Sequence, residues 1–162
     1  MKSTLSRSLL VLLSLLLLAA AGCAKKEVDT GNLADDELPM SESERQAAMT
    51  IGNGIIYFNY DSFDLSEQAK SILTQKVPVL KEFPQLRVTI EGHCDERGTE
   101  EYNLALGERR ARAAYEYLVN LGVPASQMEM VSFGKLHPAV HGSGETAWSK
   151  NRRDEFKVYK PR

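Results

Sequence analysis

Four residues able to do polar chemistry crowd into one short stretch: His93, Asp95, Glu96 and Arg97 lie within five positions. A fifth, Arg110, is out of place in a different way. Leu106, Ala113, Ala114, Tyr117, Leu118 and Leu121 are spaced by three, four and seven, as on one face of a helix. Arg110 falls inside that stripe, whereas Glu108, Arg109, Arg112 and Glu116 fall largely outside it. An arginine is rarely buried without a partner. It either packs its stem on the core edge with its head toward water or a structural carboxylate, or it aims its fork into a pocket. In the second case the fork could take a carboxylate through two hydrogen bonds. Asp95 would then supply the opposite charge. Such a pair suits a zwitterion, with an ammonium on Asp95 and a carboxylate on Arg110.

Other chemistries use overlapping residues. His93, Cys94 and Asp95, together with His137 and His141, are zinc-ligand types. His137 and His141 fall in an expected loop, so their four-residue step places them on no common helix face. Asp95 or Glu96 could act as a general base, but no nucleophile stands beside a base and an orienting third group. Gly92, Gly98 and Gly107 form no phosphate cradle, because no lysine follows at the required spacing. Gly98 reads as a turn position needing positive φ.

The elements around these residues are legible. Residues 55 to 58 (Ile-Ile-Tyr-Phe) read as a strand, and Asn59, Tyr60 and Asp61 follow it. Ser66 can cap a helix over residues 66 to 82, with Ala69, Ile72, Leu73, Val77 and Leu80 on its apolar face. Pro78 predicts a bend near Lys76 or two shorter segments. Residues 87 to 92 alternate as a strand and lead into the polar loop. The long helix after the loop stops at Gly122, with Pro124 beyond it. Residues 128 to 133 alternate again. A long loop is expected from 134 to 146, then a last strand over 151 to 160. The order strand, helix, strand, helix, strand, strand predicts an α/β (α+β) domain with helices packed on one side of a mixed sheet. Its one-helix crossovers should be right-handed.

The first 22 residues lie outside that fold. Lys2 and Arg7 precede an apolar run over residues 9 to 21, which is short of the roughly 20 residues that span a bilayer. The run ends Ala20-Ala21-Gly22-Cys23, which resembles a bacterial lipobox with Cys23 as the lipidated first residue. Stable anchoring needs more than one acyl chain, which a triacylated cysteine would supply. With Cys23 lipidated, Cys94 has no partner in the chain, and it reads as a small residue packed at a strand end. Residues 23 to 50 carry Asp29, Asp35, Asp36, Glu37, Glu42 and Glu44 and no aromatic side chain. They predict a flexible acidic tether, with at most a short helix over residues 43 to 49. About 25 coil residues reach roughly 25–30 Å on average and about 85 Å when stretched. The domain proper is expected over 51 to 162. The net charge of −2 argues against a nucleic-acid partner.

Three blocks carry a family resemblance. The first is Gly92-His93-Cys94-Asp95-Glu96-Arg97-Gly98-Thr99, continuing through Glu101-Tyr102-Asn103 to Leu106-Gly107-Glu108-Arg109-Arg110-Ala111. The second is Ser132-Phe133-Gly134-Lys135 with Pro138, and the third is Ser149-Lys150-Asn151-Arg152-Arg153. Over roughly residues 54 to 160 the chain closely resembles the peptidoglycan-associated lipoproteins, within the OmpA-like C-terminal domain family. The resemblance implies that Asp95 and Arg110 grip the diaminopimelate side chain of peptidoglycan. It assigns Tyr60, Asp61, Arg97, Thr99, Asn103 and Leu106 to the pocket wall, with tyrosine at 60 where the family has phenylalanine. One of Arg152 and Arg153 should pair inside the domain, with Asp154, Glu155 or Glu101. The resemblance further implies an outer-membrane lipoprotein facing the periplasm, with no enzymatic activity and no cofactor. It also implies a β-propeller partner of the TolB type and a role in envelope integrity and cell division. Two other readings remain open: a protein-docking module with a vestigial wall site, and a zinc-dependent hydrolase.

Overall fold

The structure is a computed structural model, and it describes residues 38–162. The signal segment, Cys23 and most of the acidic tether lie outside the described residues. Eight main elements run in the order α1 (Glu42–Gly52), β1 (Ile56–Tyr57), α2 (Glu67–Glu82), β2 (Arg87–His93), α3 (Glu100–Asn120), β3 (Met128–Gly134), α4 (Glu145–Asn151) and β4 (Arg153–Tyr159). A 3₁₀ turn at Ala125–Gln127 leads into β3. The strands form one mixed sheet in the order β1-β4-β2-β3. β4 is antiparallel to both β1 and β2, whereas β2 and β3 run parallel. That parallel pair needs a crossover, and α3 provides it.

The apolar face of the sheet meets the helices. Val88, Ile90, Phe156 and Met128 from the strands enclose a core with Leu73 and Leu80 of α2 and Ala111, Ala114 and Leu118 of α3. Ser66 caps α2 by accepting from the Ala69 amide at 3.1 Å. Gly122 closes α3 at φ +84°. The tightest helix–sheet approach is between Gly107 and Gly92. A Cβ on Gly92 would lie 2.0 Å from the Gly107 carbonyl oxygen, and one on Gly107 would lie 2.3 Å from Ser132 Oγ. Two glycines therefore let α3 settle onto β2 and β3 just where the polar loop begins.

The structure departs from the sequence expectations at four places. The tether expected to reach residue 50 stops short of it, because α1 belongs to the domain. Ser41 accepts from the Glu44 amide while Glu44 Oε2 takes the Ser41 amide at 2.7 Å, a capping box that starts the helix. Ala47 and Ile51 then bury against the core, and Glu44 pairs with Lys160 at 2.9 Å. Pro78 does not divide α2, which runs as one helix. The long loop after β3 ends in α4, and β4 begins at Arg153, past the expected Asn151. The first strand is only two residues long.

Candidate functional site

The loop between β2 and α3 is held from several sides. Thr99 caps α3 by accepting from the Tyr102 amide at 3.2 Å. Gly98 makes the turn at φ +85°. Asn103 Nδ2 donates to the Arg97 and Thr99 carbonyls at 2.7 and 2.9 Å. Lys135 Nζ donates to the Gly98 carbonyl at 2.7 Å from the end of β3. A loop tied this firmly can present charged groups without first ordering them.

A cavity of about 170 Å³ opens beside the loop, lined by Tyr60, Asp61, Asp95, Arg97, Asn103, Leu106 and Arg110 among others. Seven of the eight wall and ligand residues expected from the sequence thus meet at one place. The eighth, Thr99, does not line it and serves as the helix cap. Cys94, Gly98 and Tyr102 complete the lining. Tyr102 was visible only as part of a motif; its hydroxyl donates to Asp61 Oδ1 across the pocket mouth. Asp61 itself takes φ +52°, a left-handed turn conformation that aspartate tolerates.

Asp95 is 5 % exposed. Its Oδ1 accepts from Arg97 Nε at 3.0 Å and from the Arg97 amide at 3.2 Å. Its Oδ2 accepts from Arg97 Nη2 at 2.6 Å and from Arg152 Nη1 at 3.3 Å. Burial pushes the carboxyl up, but the bonds from Arg97, and after them Arg152, hold it below its ordinary value. It is a carboxylate at neutral pH. Arg152 also donates to the Phe58 carbonyl at 3.0 Å and pairs with Glu145 of α4. Arg153, by contrast, pairs with Glu155. The internal pairing expected of this segment therefore involves Glu155, Asp95 and Glu145, and not Asp154 or Glu101.

Arg110 is fully buried. Nε donates to the Ser62 carbonyl at 2.9 Å, Nη1 to the His93 carbonyl at 2.7 Å, and Nη2 to the Asn59 carbonyl at 3.2 Å. Nη1 also reaches Cys94 Sγ at 3.5 Å. Of the five N–H groups of a guanidinium, one on Nη2 is left without a partner among the described residues. Arg110 also lines the pocket, where the sequence expects its fork to take a ligand carboxylate. The helix stripe carries Arg110 under the β1–α2 connection and the end of β2, and its fork donates to the carbonyls there as well.

Two further features were hidden from the sequence. The Arg97 guanidinium lies between the rings of Tyr60 and Trp148, with its Cζ 3.9 Å from each centroid. Trp148 is carried by α4, a helix too short to show a period, and its indole N–H donates to Glu96 at 3.0 Å. His93 does not line the pocket and is buried, stacked on Phe133, which also stacks on His137. Burial pushes His93 down to about 4 and the Cys94 thiol up to about 11, so at neutral pH the histidine is uncharged and the cysteine is a thiol. Among the described residues no cluster of His, Cys, Asp or Glu is arranged to hold a metal ion, and no helix is long and apolar enough to cross a membrane.

This fold and pocket define a domain of the OmpA type, and the OmpA family model matches residues 57–152. A peptidoglycan-associated lipoprotein of Brucella melitensis is 38% identical over 154 residues, covering 93% of this chain and 91% of that protein. That of Pseudomonas aeruginosa is 52% identical over 101 residues, covering 62% of this chain and 60% of that protein. The crystal structure of the peptidoglycan-associated lipoprotein from Burkholderia pseudomallei superimposes with a TM-score of 0.65 at 42% identity, over 67% of this chain and 92% of that one. The chain belongs to the OmpA family, among the peptidoglycan-associated lipoproteins.

Proposed function

We propose that this chain is a lipid-anchored protein of the outer membrane whose periplasmic domain binds peptidoglycan without covalent chemistry. The ligand is the diaminopimelate-bearing stem peptide. The observation that carries this reading is the cavity holding two carboxylates, Asp61 and Asp95, and two guanidiniums, Arg97 and Arg110, in one small volume. A balanced set of charges beside a closed loop suits a zwitterionic side chain better than a pure cation or anion. Asp95 takes the ammonium, and the guanidiniums face the carboxylate. Tyr60, Asp61, Asn103 and Leu106 form the wall, with Thr99 shaping it from the helix cap. Lipid on Cys23 fixes the chain to the membrane, and the acidic segment before Ser41 supplies reach. Nothing in the reading calls for catalysis or a cofactor.

A TolB-type β-propeller partner, and with it a role in envelope constriction during division, belongs to the same reading. The exposed Tyr57, Tyr60, Phe63 and Tyr102 also favour a second possibility, a module used for protein docking alone. Co-sedimentation with purified cell-wall sacculi separates the two. Wild-type protein should pellet with sacculi, and Asp95→Asn should remain in solution. Sedimentation of neither protein would favour docking alone, and equal sedimentation of both would mean that the wall is held without Asp95.

A further inference from the structure

We infer that the domain holds a second subsite, a groove for an amino-sugar unit of the glycan that carries the stem peptide. The inference rests on the wall-binding reading above and extends it from the peptide to the sugar. A second cavity, of about 540 Å³, opens between the β1–α2 connection and α4, lined by Tyr57, Asn59, Asp64, Gln68, Glu145 and Arg152 among others. It shares no lining residue with the charged pocket. Its size falls within the roughly 300–1,000 Å³ of small-molecule sites.

The two cavities are neighbours. Arg152 Nη1 donates to Asp95 in the charged pocket at 3.3 Å and to Glu145 in the groove at 3.4 Å, so one guanidinium stands between them. Nearby, Arg110 of the charged pocket donates to the Asn59 carbonyl at 3.2 Å. Trp148, stacked on Arg97, is followed on α4 by Ser149, which lines the groove. In peptidoglycan the sugar joins the stem two residues before diaminopimelate, a reach of about 7 Å when extended. A ligand whose diaminopimelate occupies the charged pocket can therefore lay its sugar in the groove.

The groove's chemistry suits a neutral polyol. Tyr57 is 48 % exposed and offers a ring face with a hydroxyl at its edge. That hydroxyl and the side-chain amides of Asn59 and Gln68 have no hydrogen-bond partner among the described residues. Asp64 and Glu145 add carboxylate acceptors. The cation in the wall is Arg152, and four of its five N–H groups are already given to Phe58, Asp95 and Glu145. A ligand carboxylate would face two like charges with one guanidinium N–H to meet it. An apolar group would cover the open amides and give them no partner. A sugar answers each feature: its hydroxyls donate to the carboxylates, an acetamido group pairs with the amides, and its C–H face lies on the Tyr57 ring.

The test uses full-length protein in detergent micelles and two soluble fragments: a diaminopimelate tripeptide alone, and the same tripeptide on its disaccharide. Wild type should bind the sugar-bearing fragment roughly 10-fold more tightly, the net effect of one or two neutral hydrogen bonds. Tyr57→Ala removes the ring platform and should bring that ratio toward one, with affinity for the bare tripeptide unchanged. Gln68→Ala, at an exposed position of α2, should lower the ratio too, and it decides the case if Tyr57→Ala misfolds. Binding of the bare tripeptide reports an intact domain in each variant. A ratio of one or less in wild type, or an unchanged ratio in both variants, would overturn the sugar subsite and leave the wall-binding reading standing. Failure of wild type to bind either fragment would overturn both.

Discussion

Replacing Arg110 with leucine should destabilise the domain before it says anything about ligand. Leucine continues the apolar stripe of α3, so helix propensity and amphipathicity are preserved. What is lost is a brace. The His93 carbonyl is enclosed, and orphaning it costs about 1–3 kcal/mol. The Ser62 and Asn59 carbonyls are partly buried, so losing their bonds costs about 0.5–1.5 kcal/mol each. The combined loss is roughly 2–6 kcal/mol. Relief of a buried charge offsets part of it, since burial already pushes the Arg110 guanidinium down from its ordinary value. A domain of this size holds about 5–15 kcal/mol in total. Arg110→Leu should therefore fold but melt well below wild type, and urea titration followed by far-UV circular dichroism would measure the difference. Loss of sacculus binding in this variant would not by itself identify a ligand contact. A urea midpoint within error of wild type would refute the brace.

Three other perturbations follow from the same geometry. Asp154 is fully buried, neither carboxyl oxygen has a hydrogen-bond partner among the described residues, and burial raises it well above its ordinary value against the pull of Arg110 and Arg153. A raised carboxyl contributes stability that is present below its unfolded value of about 3.8 and lost as pH rises through the folded one. Asp154→Val should therefore stabilise the domain at neutral pH by roughly 1–3 kcal/mol, with the gain shrinking toward pH 4. Destabilisation by the same change would mean that Asp154 is ionised and pairs with Arg110. Gly92→Ala should lower the thermal midpoint despite the better intrinsic propensity of alanine, because its Cβ would meet the Gly107 carbonyl at 2.0 Å. A midpoint equal to wild type would mean that α3 can move away at no cost. Cys23→Ser should shift the protein from the membrane fraction to the soluble periplasmic fraction, and continued membrane residence would defeat the lipid anchor.

The middle of the chain could be read from sequence because its signals are local. The alternation in residues 87 to 92 and 128 to 133, the Ser66 cap and the Gly122 stop each act within a few residues. α1 carried a local signal too, the Ser41–Glu44 capping box, but its acidic residues read as tether. What makes it part of the domain is burial of Ala47 and Ile51 and a pair with Lys160, far along the chain. α4 is seven residues long and starts after Gly144 at φ +103°, so it shows neither a period nor a side-chain cap. At the site, residue types revealed that Asp95 and Arg110 were exceptional. Their partners were invisible because most are backbone carbonyls or side chains brought in by the fold. Arg152 meets Asp95 from 57 residues away, and Trp148 reaches Arg97 from a helix that periodicity could not find.

The central claim is that the pocket holding Asp95 recognises a zwitterionic stem-peptide side chain. Calorimetric titration of residues 38–162 with a soluble diaminopimelate muropeptide, beside the same peptide carrying lysine, tests it most directly. The account predicts binding of the first at about micromolar to millimolar affinity, with clearly weaker binding of the second. Equal affinity for the two, or no heat from either, would contradict it.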